Sequence, residues 1–186
     1  MRHDRTTLGG NGVVDRGVLG PVALSDAMPT FERETYVRAP FEDVWRFHST
    51  LDGLEALTPR FMNLRVEATR GPDGEPDPEV LVAGAEADLS MRPAGVGPCQ
   101  GWTTRIIERE REDGAGLFRD EMVDGPFRRW VHTHSFYADG GGTHVRDRVE
   151  YRLPLGDLGR LAGPFAVVGF EPMFRYRHRE TGRLLE

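Results

Sequence analysis

Between Arg128 and Pro154, apolar and polar positions alternate with a period of two on either side of a glycine-rich break. The first arm sets Trp130, His132, His134 and Phe136 against Val131, Thr133, Ser135 and Tyr137. The second sets Thr143, Val145, Asp147, Val149, Tyr151 and Leu153 against His144, Arg146, Arg148, Glu150 and Arg152. Such alternation predicts two strands, each with one buried and one solvated face. The charged set of the second arm must face water, so Val145, Asp147, Val149 and Tyr151 are expected to point inward. The stretch Ala138-Asp139-Gly140-Gly141-Gly142 supplies the permissive backbone of a hairpin turn. In any odd register Asp147 then shares a face with His132 and His134 and stands opposite one of them. An apolar sheet face that carries imidazoles and a carboxylate is a candidate site.

The rest of the chain reads outward from this hairpin. Thr30–Arg38 alternates as a strand, ended by Ala39-Pro40, with Pro40 suited to the first helical position. The following helix, Phe41–His48, places Glu42 and Asp43 in its first turn and Phe41, Val44, Trp45 and His48 on its inner face. Ser49 or Thr50 caps a second short helix with Leu51, Leu54 and Leu57, stopped by Thr58-Pro59. Strands are expected over Phe61–Ala68, Val80–Met91, Gly101–Glu110 and Leu117–Val123, with a Pro- and acid-rich loop at Arg70–Glu79. Trp102, Thr104, Ile106 and Glu108 share one side of the third of these strands, and Phe118, Asp120 and Met122 share one side of the fourth. Beyond Pro154 the spacing turns helical, through Leu158, Leu161 and Phe165, then Phe170, Phe174 and Arg177. Pro164 suits the start of this helix, and Pro172 is expected to kink it beside Gly169.

Residues 1–28 show no sustained period and are rich in Gly and polar residues, which predicts a flexible tail. Met28 immediately precedes the first patterned segment and is an alternative start. Residues 29–186 read as one α+β domain, without internal repeats. The net charge of -6 and the isoelectric point near 5.6 argue against a nucleic-acid partner, which needs a basic face. All 24 basic residues are Arg. Cys99 is the only cysteine, which excludes an intrachain disulfide and a cysteine-rich zinc site. No apolar stretch reaches the length of a membrane span and the N-terminus lacks a secretory layout, so no stable membrane insertion is expected and the cytoplasm is the default compartment. The oligomeric state is not legible.

Several motifs together resemble a known family. They are Phe47-His48, Leu57-Thr58-Pro59, Trp102, the run from Phe118 to Phe136, Gly141–Pro154 and Met173–His178. The most specific part is GPF-x2-W-x-H-x-H-x-F followed by T-x3-D-x3-Y-x2-P. In combination they resemble the ligand-binding branch of the SRPBCC, or START-like helix-grip, superfamily, with polyketide cyclases and dehydratases, pollen-allergen-like proteins and lipid carriers among its members. The resemblance covers nearly everything after Met28. It implies a curved antiparallel sheet of about six to seven strands wrapped around a long C-terminal helix, with two short helices after the first strand. It also implies a cavity for a small hydrophobic molecule; no cofactor is expected. Phe118, Asp120, Met122, Trp130, His132, His134, Phe136, Asp147, Val149 and Tyr151 are the expected ligand-facing positions of the sheet, with Phe174 opposite on the helix.

The chemistry of the polar cluster admits three readings. Asp120, His132, His134 and Asp147 can satisfy one another and orient a ligand, as buried polar groups commonly do. A histidine held by a carboxylate can instead serve as a general base near neutral pH, which suits a cyclase or dehydratase. The spacing His132-Thr133-His134 also suits a metal, yet no third nitrogen or sulfur ligand is evident, so none is expected. His48 reads as a packing residue at a helix end. Arg175, Arg177 and Arg179 read as a solvated helix face.

Overall fold

The computed structural model describes residues 28–154, 156, 158 and 167–186. The predicted tail before Met28, and Leu161, Pro164 and Phe165 of the last helical pattern, lie outside the described residues. The elements run β1 (Thr30–Val37), α1 (Phe41–His48), α2 (Leu51–Ala56), β2 (Arg65–Arg70), β3 (Glu86–Met91), β4 (Gln100–Glu112), β5 (Ala115–Asp124), β6 (Arg129–Asp139), β7 (Gly142–Arg152) and α3 (Val167–Leu185). Together the strands make one curved, seven-stranded antiparallel sheet in the order β1-β7-β6-β5-β4-β3-β2. The long helix α3 lies against it, which is the helix-grip architecture. No helix among the described residues is long and apolar enough to cross a membrane.

The β6–β7 hairpin closes at Asp139↔Gly142, so Gly140 and Gly141 alone form the turn, at φ 55° and 98°. Positive φ at both central residues is what a turn matched to strand twist requires, and glycine supplies it without a Cβ clash. This closure fixes the register as Trp130↔Tyr151, His132↔Val149, His134↔Asp147 and Phe136↔Val145. One face of the hairpin therefore holds Phe136, Val145, Val149 and Tyr151 at 0% exposure and Asp147 at 1%.

Two apolar clusters flank the sheet. Under α1, Trp45 packs edge-on against Phe118 and Phe136, alongside Val37, Val44 and Val145. The approach of Trp45 to β5 requires Gly116, where a Cβ would lie 2.7 Å from the indole. Under α3, Phe31, Phe170 and Phe174 pack on Val149 and Tyr151. Burying a phenylalanine such as Phe174, 1% exposed, contributes about 1.5–3 kcal/mol.

Local geometry departs from the sequence pattern in several places. Pro40 is the N-cap of α1, extended at ψ 143°, with its carbonyl accepting from Asp43 and Val44. Thr50 caps α2 through a bond from the Gly53 amide, and Leu57 falls at its C-cap. Phe61 does not begin a strand: Arg60–Met62 form a 3-10 turn closed by left-handed Asn63, and β2 starts at Arg65. The expected strand from Val80 keeps only Glu86–Met91, because Ala85 bonds back to Val82 around Gly84 at φ 91°. In β4 a bulge between Ile106 and Glu108 reverses the alternation. Glu108 thereby pairs with Arg119, and Arg109 turns inward over the Trp45 ring. Helix α3 continues through Pro172. The proline removes one hydrogen bond, to the carbonyl four residues earlier, while aromatic packing of Phe170 and Phe174 on either side holds the segment to the sheet.

Candidate functional site

Because the sheet curves, α3 touches it at the β1–β7 end and stands away from it over β3–β5. A cavity of about 440 Å³ fills the gap. Its floor is Leu89, Trp102, Thr104, Ile106 and Met122 of the sheet; Leu54, Leu57 and Met62 close one side; Phe170, Phe174 and Arg177 of α3 form the roof. Phe118, Asp120, Trp130, His132 and His134 also reach this wall, as do His48 and Arg109.

The remaining expected ligand contacts lie elsewhere. Phe136, Asp147, Val149 and Tyr151 do not line the cavity. These positions lie where the helices rest directly on the sheet. Phe136 is covered by Trp45, at 5.6 Å between ring centroids, and Tyr151 by Phe170, at 4.9 Å. Asp147 sits beneath its histidines.

Asp147 is the hub of the polar cluster. Its Oδ1 meets His132 Nε2 at 2.8 Å, and its Oδ2 meets His178 Nε2 at 2.6 Å. His134 Nδ1 also lies 2.8 Å from Oδ1, but out of line with it, so that contact is electrostatic rather than a directed hydrogen bond. On the cavity side, Asp120 Oδ2 is 3.4 Å from His134 Nε2 and 3.9 Å from His132 Nδ1, and Thr104 donates to its Oδ1 at 2.9 Å. The cluster thus runs from the cavity wall at Asp120, through two imidazoles whose centroids are 3.7 Å apart, to Asp147 and on to α3.

Rings so close cannot both be charged at little cost, and the environment divides them. Burial works against the charged form of His134 but is outweighed by Asp120 and Asp147, so its pKa is raised. His132 is lowered, by burial first and then by the charge on His134. Burial would raise Asp147, yet its histidine partners hold it well below the usual carboxylate range. Asp120 is lowered as well, its own burial outweighed by His134 and His132. The two carboxylates thus favour the charged form of His134, while burial and that neighbour favour the neutral form of His132.

Asp120, His132 and His134 place potential ligand atoms within 4.8 Å of one another and so could surround a cation. Such an ion would have to displace the contact between Asp120 and His134.

Sequence patterns miss four participants. His178 lies one helical turn beyond Phe174, on the same face, a spacing that was available to find it. Arg177 is buried at 9% exposure, whereas Arg175 and Arg179 are exposed, so the three do not form one solvated face. Arg109 is turned in by a bulge that no periodicity reveals. His48 is buried and lines the cavity. Thr181 donates to the Arg177 carbonyl and so accepts from His48 Nε2, at 3.2 Å. Burial, reinforced by the charge of Arg177, holds His48 well below its ordinary pKa.

A family model described as polyketide cyclase / dehydrase and lipid transport matches residues 37–167. A search of curated proteins finds no match. Among solved structures, norcoclaurine synthase from Thalictrum flavum, in complex with dopamine and hydroxybenzaldehyde, is similar at 17% identity and a TM-score of 0.58, covering 98% of this chain and 96% of its own. A START superfamily protein from Mycobacterium smegmatis is similar at 14% identity and a TM-score of 0.55, with 83% and 98% covered. A protein from Arthrobacter aurescens is similar at 15% identity and a TM-score of 0.60, with 84% and 85% covered. At these identities the likeness is one of fold.

Proposed function

Since the chain belongs to the polyketide cyclase / dehydrase and lipid transport family, we propose that residues 29–186 bind a hydrophobic or aromatic small molecule in the cavity between the curved sheet and α3. The observation that carries this reading is the cavity itself, about 440 Å³ and walled mainly by aromatic and aliphatic side chains with a few polar groups at fixed places. That is the usual make-up of a small-molecule site, which runs to about 300–1,000 Å³. Mass spectrometry of a denaturing extract of the purified protein is the direct test. A copurified apolar molecule is expected, and apolar fluorescent probes should quench Trp102 and Trp130, which both face the space. Met122→Trp should fill the cavity and weaken those probes about tenfold, a loss of about 1.4 kcal/mol. A varied probe set that leaves the tryptophan emission unchanged would sink the reading.

A second reading, a cyclase or dehydratase, is favoured by one observation: at the cavity wall Asp120 Oδ2 lies 3.4 Å from His134 Nε2, with Asp147 on the ring's other side. His134 would deliver a proton to the bound molecule, and neutral His132 would accept one. The two readings separate when a bound molecule is incubated with the protein and recovered. Asp120→Asn should abolish any conversion while leaving binding nearly intact; loss of both together would favour simple ligand anchoring.

A further inference from the structure

The cavity contains cationic side chains that no counter-charge neutralises among the described residues. Arg177 is 9% exposed and lines the cavity, and its guanidinium makes no hydrogen bond or ion pair among the described residues. Arg33 and Arg146 also bury an unpartnered Nε, but Glu171 and Glu32 respectively pair with those guanidiniums. Arg109, on the facing strand, also lines the cavity. It stacks over Trp45 at 4.6 Å and donates to Ser49 Oγ at 3.0 Å and to the Leu81 carbonyl at 3.4 Å, all neutral partners. The two arginines flank the end of α1: Arg109 grips Ser49, and the charge of Arg177 acts on the adjacent His48. The nearby carboxylates are already engaged, Asp120 by Thr104 and His134 and Asp147 by its histidines.

A buried charge without a counter-charge is costly, and proteins pair such groups unless something else does so. Resting on the ligand-binding reading above, we infer that the cavity's ligand is an apolar acid whose carboxylate is held by Arg177 and Arg109 at the α1 end. A guanidinium presents donors in a planar fork that matches the two oxygens of a carboxylate, and the match strengthens where water is excluded. The apolar body then lies against Trp102, Trp130 and Ile106. Arginine here is a specificity device: it disfavours neutral molecules of the same shape, which would leave the charge unpaired.

The test compares two probes of nearly one shape, 2-naphthoate and neutral 2-acetylnaphthalene, titrated into the full chain at pH 7.5 and followed by calorimetry. The acid is expected to bind at least about tenfold tighter than the ketone. Arg177→Met should remove that preference by weakening the acid and sparing the ketone, and Arg177→Lys should restore part of it. Arg109→Met should erode it further. Equal affinity of the wild type for the two probes overturns the inference and leaves the cavity reading intact, and this comparison needs no variant. An acid preference that survives both Met substitutions also overturns it. Binding of neither probe removes the cavity reading and this inference with it.

Discussion

Asp147 on β7 and Arg177 on α3 are both charged and both buried, yet they are treated in opposite ways. Asp147, at 1% exposure, is surrounded by His132, His134 and His178, with ring nitrogens 2.6–2.8 Å from its oxygens. Arg177 has no such shell among the described residues. A buried charge that is fully partnered behaves as part of the scaffold, because removing any partner leaves the others exposed to a low dielectric. A buried charge left unpartnered beside a cavity lowers stability and is useful only when a ligand arrives. The contrast separates groups that hold the cluster together from groups that the proposed ligand would neutralise.

The sharpest way to break the contrast is Asp147→Asn. It keeps the side-chain shape but removes the buried charge that three histidines surround, and stability should fall by about 3–5 kcal/mol in urea unfolding. His134 should then titrate lower, followed by NMR of its ring protons. A His134 titration indifferent to the loss of Asp147 would sink the hub assignment.

The pH profile of stability tests the division of protons among the rings, and here the signs oppose. His134 is raised. Its contribution is present below the unfolded value of about 6.5 and is lost as pH rises through its folded value. His48 and His132 are lowered. Their contribution is present above about 6.5 and is lost as pH falls toward their folded values. Stability should therefore peak near pH 6.5, and every tenfold difference in proton affinity between folded and unfolded chain is worth about 1.4 kcal/mol. A further loss sets in below about pH 4, where unfolded carboxylates protonate and the depressed Asp147 and Asp120 no longer favour the fold. Stability still climbing from pH 6.5 to 8 would show that His134 is not the protonated ring.

Arg177→Met gives the smallest effect and the opposite sign to Asp147→Asn. Replacing an unpartnered buried cation by an apolar chain of similar length should stabilise the ligand-free protein by about 1 kcal/mol, read as a rise in Tm. A clear fall in Tm would mean that Arg177 is scaffold after all, and the contrast with Asp147 would collapse.

How much of the site was legible follows from the kind of element each residue occupies. On the regular hairpin the period-two pattern places Asp147 with His132 and His134, because a two-residue glycine turn leaves one register available. On β4 the same reasoning misplaces Glu108, because one extra residue in a bulge turns the alternation over from Ile107 onward. The ring pairing is legible only in outline. Alternation puts a carboxylate near two imidazoles, but which ring is raised depends on Asp120, whose strand joins β6 across an independent register.

By itself the sequence determined the α+β class, the hairpin, the short helices after β1 and the inward face of β7, since each depends on local periodicity, caps and turn residues. The tertiary structure alone decided which inward residues line the cavity. Curvature of the sheet brings Tyr151 and Val149 into direct packing with α3, and Phe136 with α1, while it opens space over Trp102 and Met122. Both sets look alike along the chain, because periodicity reports which face a side chain takes and not the distance to what lies opposite. The same holds for His178 and Arg177, adjacent on one helix, where one reaches Asp147 and the other reaches the cavity. Neighbouring side chains on a helix point about 100° apart, and only the packing of α3 on the sheet fixes what each direction meets.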